Sequence, residues 1–111
     1  MQVKIHTQNF KLNEMMEEKV NRTVEKLCRM ESCLNDEAAE VKINLHHEES
    51  RAQEDAYSCE VIIFAPGSTL TAEARADKME TAIDDVEDKM KKQIEHYKSK
   101  RHHLEDRKND E

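Results

Sequence analysis

An α+β fold, ordered β-α-β-β-β-α, follows from three features of the sequence. Four short segments alternate apolar and polar residues with a period of two. Two longer segments repeat apolar residues every three or four positions, as amphipathic helices do. The single glycine and the single proline stand together at Pro66-Gly67, the one strong tight-turn dipeptide in the chain. Four strands that are each apolar on one side need a cover, and two helices supply it. The expected architecture is a two-layer sandwich: a four-stranded sheet with two helices on one face.

Val3 and Ile5 alternate with Lys4 and His6 in the first strand. The first helix begins at Asn13, a good N-cap, and Glu14, Glu17 and Glu18 follow near the positive helix end. Met16, Val20, Val24 and Leu27 form its apolar stripe. Val41, Ile43 and Leu45 alternate with Lys42, Asn44 and His46 in the second strand. The polar run from His47 to Asp55 then reads as an exposed loop. Cys59, Val61 and Ile63 on one side of Pro66-Gly67, and Leu70, Ala72 and Ala74 on the other, predict a β-hairpin. Asp77-Lys78-Met79-Glu80 resembles a capping box with Asp in the serine position. It opens a second helix with the stripe Met79, Ile83, Val86, Met90, Ile94 and Tyr97, expected to end near His103. One domain over residues 1–103 and a mobile charged tail over 104–111 are the expected organisation. In outline the sandwich is related to double-stranded-RNA-binding domains.

The chain has 111 residues and a mass of 13.0 kDa, the size of one domain. Charged residues make up 39% and apolar residues 36%, against roughly 25% and 45–50% in ordinary globular chains. Disorder is the natural alternative for so polar a chain, but the strict apolar periods argue against it. Mean hydropathy is −1.01. No stretch approaches the roughly 20 apolar residues of a membrane span, and no apolar leader segment follows Met1. A cytoplasmic protein with no membrane partner is therefore expected. Cys28, Cys33 and Cys59 are odd in number and lack C-x₂-C spacing, so they read as reduced thiols and not as a disulfide or zinc framework.

The net charge of −7 conceals an asymmetry. Residues 1–88 carry 10 Lys and Arg against 20 Asp and Glu, a net −10, whereas residues 89–111 carry 8 against 5, a net +3. An acidic chain is a poor generic nucleic-acid binder, yet phosphates respond to local charge. At about 100° per residue, Arg22, Lys26 and Arg29 share one flank of the first helix. Lys89, Lys92, His96, Lys100 and His103 form a similar stripe on the second. With the helices side by side, the stripes are expected to frame one phosphate-binding groove or ridge, with Tyr97 at its edge for stacking. The competing reading is of ordinary solvated faces with i,i+4 pairs such as Glu18–Arg22 and Glu25–Arg29.

Enzyme signatures are missing. One glycine cannot build a phosphate-cradling loop, and neither a G-x-S-x-G elbow nor an H-E-x-x-H helix occurs. Neighbours diverge on a strand or a helix, so His46-His47 and His102-His103 are poor chelates. Asp84, Asp85, Glu87 and Asp88 read mostly as the wet face of the second helix. No enzyme activity, cofactor, metal or small-molecule substrate is expected. The outer sheet face is expected to carry Lys42, Asn44, His46, Ile62, Phe64, Thr71 and Arg75. Ile62 and Phe64 are apolar there, which raises a rival reading as a protein-interaction module.

Several segments, taken in order, resemble a known family: Met1-Gln2-Val3-Lys4-Ile5, the Asn9-to-Asn13 approach to the first helix, and Val24-Glu25-Lys26-Leu27-Cys28-Arg29-Met30. Ala65-Pro66-Gly67 and Leu70-Thr71-Ala72-Glu73-Ala74 follow, then Lys78-Met79-Glu80-Thr81-Ala82-Ile83-Asp84 and Asp88 through Lys98. Together they resemble the bacterial ribosome hibernation-promoting factors, in short form. That family includes ribosome-associated inhibitor A and was once called the sigma-54 modulation proteins. The resemblance implies the same fold, binding to the small ribosomal subunit and its rRNA in the decoding region, and a block of translation under stress. It maps the rRNA-facing positions onto Arg22, Lys26, Arg29, Lys89, Lys92, Lys98 and Lys100, to which the helical spacing adds His96. A free monomer is expected. The chain has Lys78-Met79-Glu80 where the family often has Asp-Met-Tyr. It has acidic Glu48-Glu49-Ser50-Arg51 where the family's loop is basic, which implies weaker binding at high salt.

Overall fold

Backbone pairing turns the periodic segments into one mixed sheet. The computed structural model describes residues 2–35, 39–49 and 52–109, without the side chains of Cys33, Asn35 and 101–109. The elements are β1 (Gln2–Gln8), α1 (Glu14–Cys28), β2 (Glu40–His47), β3 (Tyr57–Ala65), β4 (Ser68–Ala76) and α2 (Met79–Asn109), with 3₁₀ turns at Ser32–Asn35 and Gln53–Asp55. The order across the sheet is β1-β2-β3-β4. β1 and β2 are parallel, which requires the crossover that α1 provides, and the remaining pairs are antiparallel. Ala65 pairs with Ser68, leaving Pro66-Gly67 as a two-residue turn. Gly67 sits at φ +77, the conformation a type II turn wants after proline.

The helices begin and pack for identifiable reasons. The Asn13 side chain accepts from the Met16 N–H at 2.8 Å, capping α1 as the sequence predicts. At α2 the Lys78 carbonyl accepts from the Ala82 N–H, so the cap falls one residue later than Asp77. The helical backbone also continues to Asn109, past the expected stop near His103. Leu104-Glu105-Asp106-Arg107-Lys108 contains no glycine or proline to end it. The expected mobility of 104–111 concerns residues whose side chains lie outside those described, and Arg51, Asp110 and Glu111 lie outside the described residues altogether.

The core lies between the layers. Met16, Val20, Val24 and Leu27 from α1 meet Met79, Ile83, Val86, Met90, Ile94 and Tyr97 from α2 over Val41, Ile43, Leu45, Val61 and Ile63, all buried. Leu34, in the 3₁₀ turn after α1, is fully buried as well. Cys28 and Cys59 are buried free thiols, and burial pushes them up to about 11 and about 12. Cys33's side chain lies outside the described residues. His47 belongs to β2 and not to the following loop. It pairs with Tyr57, and their rings stack at 4.3 Å.

Candidate nucleic-acid interface

Topology first decides how the helices run. α1 returns from the end of β1 to the start of the parallel β2, so it runs against both strands. β4 runs with β2, and α2 turns back after it, so the helices run the same way. Side-chain contacts agree: Lys19 Nζ lies 2.8 Å from Asp84 Oδ1, and Val20 and Thr23 line one small apolar gap with Ile83 and Val86. α1 opens acidic and closes basic, as its macrodipole favours, and α2 opens acidic and carries its cations from its middle onward. Glu14, Glu17 and Glu18 precede Arg22, Lys26 and Arg29 on α1. Glu80, Asp84, Asp85 and Asp88 precede Lys89, Lys92, His96, Lys98 and Lys100 on α2. Parallel packing puts like ends together. The helix layer is therefore acidic at one end and basic at the other.

All eight predicted contact residues are exposed: Arg22, Lys26, Arg29, Lys89, Lys92, His96, Lys98 and Lys100. They do not frame one groove. Lys19 and Asp84 mark the flank of α2 that faces α1, and Lys89 lies about 140° round the helix from Asp84. Lys89 instead reaches the outer sheet edge, where its Nζ donates to the Glu73 carbonyl at 2.9 Å. Lys92, His96 and Lys100 share that outer flank, whereas Lys98 lies about 40° from Asp84, on the α1 side. Among the described residues no ion pair engages Arg22, Lys26, Lys92, Lys98 or Lys100, and Arg29 meets Glu25 only at 3.8 Å. The expected Glu18–Arg22 pair does not form; Lys91–Glu87 does, at 3.5 Å. His103 lies outside the described side chains. Tyr97 offers no stacking edge, because its ring is buried and its hydroxyl donates to the Pro66 carbonyl at 2.7 Å.

Comparison with known proteins places this surface on a familiar scaffold. Residues 3–102 match the family model described as sigma 54 modulation protein / S30EA ribosomal protein. The chain belongs to that family. Two solved structures share the fold. A ribosomal subunit interface protein from Coxiella burnetii superposes with a TM-score of 0.72 at 20% identity, covering 89% of this chain and 99% of the other. The N-terminal domain of Thermus thermophilus Protein Y gives 0.71 at 18% identity, covering 87% and 99%. No curated protein sequence matches the chain significantly. Within this S30EA-family fold, sequence reasoning overlooked Lys4 as an outward cation facing Lys42. The two pair across β1 and β2. Alternation marks each as outward-facing, but their register becomes visible only once the strands pair. Among the described residues no group of three His, Cys, Asp or Glu is placed to hold a metal, and no helix is long and apolar enough to cross a membrane.

Proposed function

We propose that this protein is a non-enzymatic ribosome-binding factor that acts in the cytoplasm during stress. It occupies the decoding region of the small subunit and so blocks the messenger and transfer RNA paths of idle ribosomes. The observation that carries this reading is the family match over residues 3–102, which spans the fold almost end to end. The basic end of the helix layer supports it, because cations without acidic partners are free to neutralise rRNA phosphates. Shape then contributes the block: the domain fills space that the RNAs need. No bound cofactor or small molecule enters this mechanism.

Sedimentation with purified ribosomes across a salt series tests the proposal. If about six phosphates are neutralised, log K falls with log salt with a slope of roughly −4 to −5. Chemical probing of the complex should show protection in the decoding region of the small-subunit rRNA. Failure to sediment with ribosomes at low salt would reject the reading. Binding that hardly changes with salt would reject the phosphate contact.

A further inference from the structure

Among the described residues no element covers the face of the sheet away from the helices, and its two halves differ. In the half near the β3–β4 turn, Lys4, Lys42, Ile62 and Thr71 align as one cross-strand row. Phe64 lies in the next row, between Glu40 and Thr69. Phe64 is 37% exposed, and the Lys42 ammonium sits 5.4 Å from its ring centroid. In the other half, His6, Asn44, His46, Ser58, Glu60 and Arg75 line a shallow polar hollow.

The acids on this face already have partners. Lys4 lies 3.2 Å from Glu40, and the Asn44 amide donates to Glu60 at 2.8 Å. Arg75 meets both Glu48 and Glu73 at 3.3 Å. Lys42 has no ion pair among the described residues; its one partner is the aromatic ring. An exposed ring beside an acid-free lysine, next to a hollow lined with donors and acceptors, matches what an unpaired nucleotide needs. A base stacks on the ring, the lysine moves to the phosphate, and the neighbouring base edge meets polar side chains. Carboxylates such as Glu60 suit base amino groups and disfavour phosphates, so the backbone would follow the Lys4–Lys42 row.

We propose that the open sheet face is a second RNA site, which binds single-stranded RNA with one base stacked on Phe64 and a phosphate on Lys42. It is distinct from the helix-layer contact with rRNA, and it can be tested without ribosomes. The probe is a labelled cytidine-rich single strand of about ten nucleotides, whose bases carry the amino groups that Glu60 would accept from and whose length is within the span of known single-strand sites. Fluorescence anisotropy at low salt should show binding by the intact chain. Phe64→Ala should weaken it about tenfold, Phe64→Trp should preserve it, and Lys42→Ala should weaken it and flatten its salt dependence. An unlabelled RNA duplex of equal length should compete poorly. Lys92→Glu should spare oligonucleotide binding while weakening sedimentation with ribosomes, which separates the two sites. Circular dichroism checks that Phe64→Ala stays folded; if it does not, Phe64→Trp and Lys42→Ala carry the test.

Absence of single-strand binding would overturn the proposal, as would binding indifferent to Phe64→Ala in a folded variant. So would a benzophenone side chain at position 64 that cross-links to protein and not to RNA in ribosome complexes. That outcome would assign the face to a protein partner and leave the ribosome reading intact.

Discussion

The helix layer and the open sheet face both mix acids with bases, yet they treat the mixture differently. On the sheet, neighbours on one face sit close enough to pair: Lys4–Glu40 across β1 and β2, and Arg75–Glu73 two residues apart on β4, neutralise each other locally. On the helices, charge is sorted along the axis, and parallel packing stacks the two basic ends. Sorting leaves Lys26, Lys92 and Lys98 without acidic partners among the described residues. A chain with net charge −7 can thus present a basic end without being basic overall. The range of phosphate attraction is short at physiological salt, about 8 Å, so such local sorting matters more than the total.

The sharpest division is between the inner and outer sides of the helix layer. Leu27 and Ile83 are buried on its inner side. Leu27→Ala and Ile83→Ala should each cost about 2–5 kcal/mol, as buried large-to-small changes do. That is a large part of the stability of a small domain. Chemical denaturation checks the figure, and variants that unfold like the parent would mean that the helices do not cover the sheet.

Reversing charge on the outer side should do the opposite. Lys89→Glu with Lys92→Glu should lower ribosome affinity at least tenfold and reduce the salt slope by about 2. Stability should change by well under 1 kcal/mol, since both residues are exposed. Ribosome sedimentation paired with thermal melting reads the two effects separately. Unfolding would show that the Lys89 bond to the Glu73 carbonyl holds α2 on the sheet edge more firmly than an exposed contact should.

How much of this was legible in the sequence follows from which interactions are local. The Asn13 cap and both apolar stripes are written at spacings of three and four, and every stripe residue is buried. The strands and the Pro66-Gly67 turn were equally plain, because alternation and φ restriction act within a few residues. The rotation of α2 about its axis was not. It depends on Lys19 meeting Asp84 across 65 positions and on Lys89 meeting Glu73, contacts that no helical period encodes. That is why the cations are exposed as expected, while the single groove or ridge they were expected to frame is split between the sheet-edge flank of α2, where Lys89 lies, and its α1 side, where Lys98 lies. Leu34 escaped notice because a single apolar residue in a 3₁₀ turn has no period. The parallel pairing of β1 with β2, which brings Lys4 beside Lys42, is likewise a long-range choice.

Tyr97 gives the smallest effect and the finest test, because it belongs to both regions. Its position in the α2 stripe marks it as core, while its aromatic ring is also expected from the sequence to stack at the edge of the basic surface. The ring is buried, and the hydroxyl donates to the Pro66 carbonyl, tying α2 to the hairpin that carries Phe64. Tyr97→Phe keeps the ring and removes the donor. Phenylalanine should stack on a base as well as tyrosine does, so the substitution isolates the structural bond. Loss of one such hydrogen bond should cost about 1 kcal/mol. Denaturant midpoints should register that loss, while affinity for ribosomes stays at the parent value. If stability is unchanged and ribosome affinity falls, the Tyr97 hydroxyl serves RNA and not the hairpin, and the boundary between the two regions has to be redrawn at that residue.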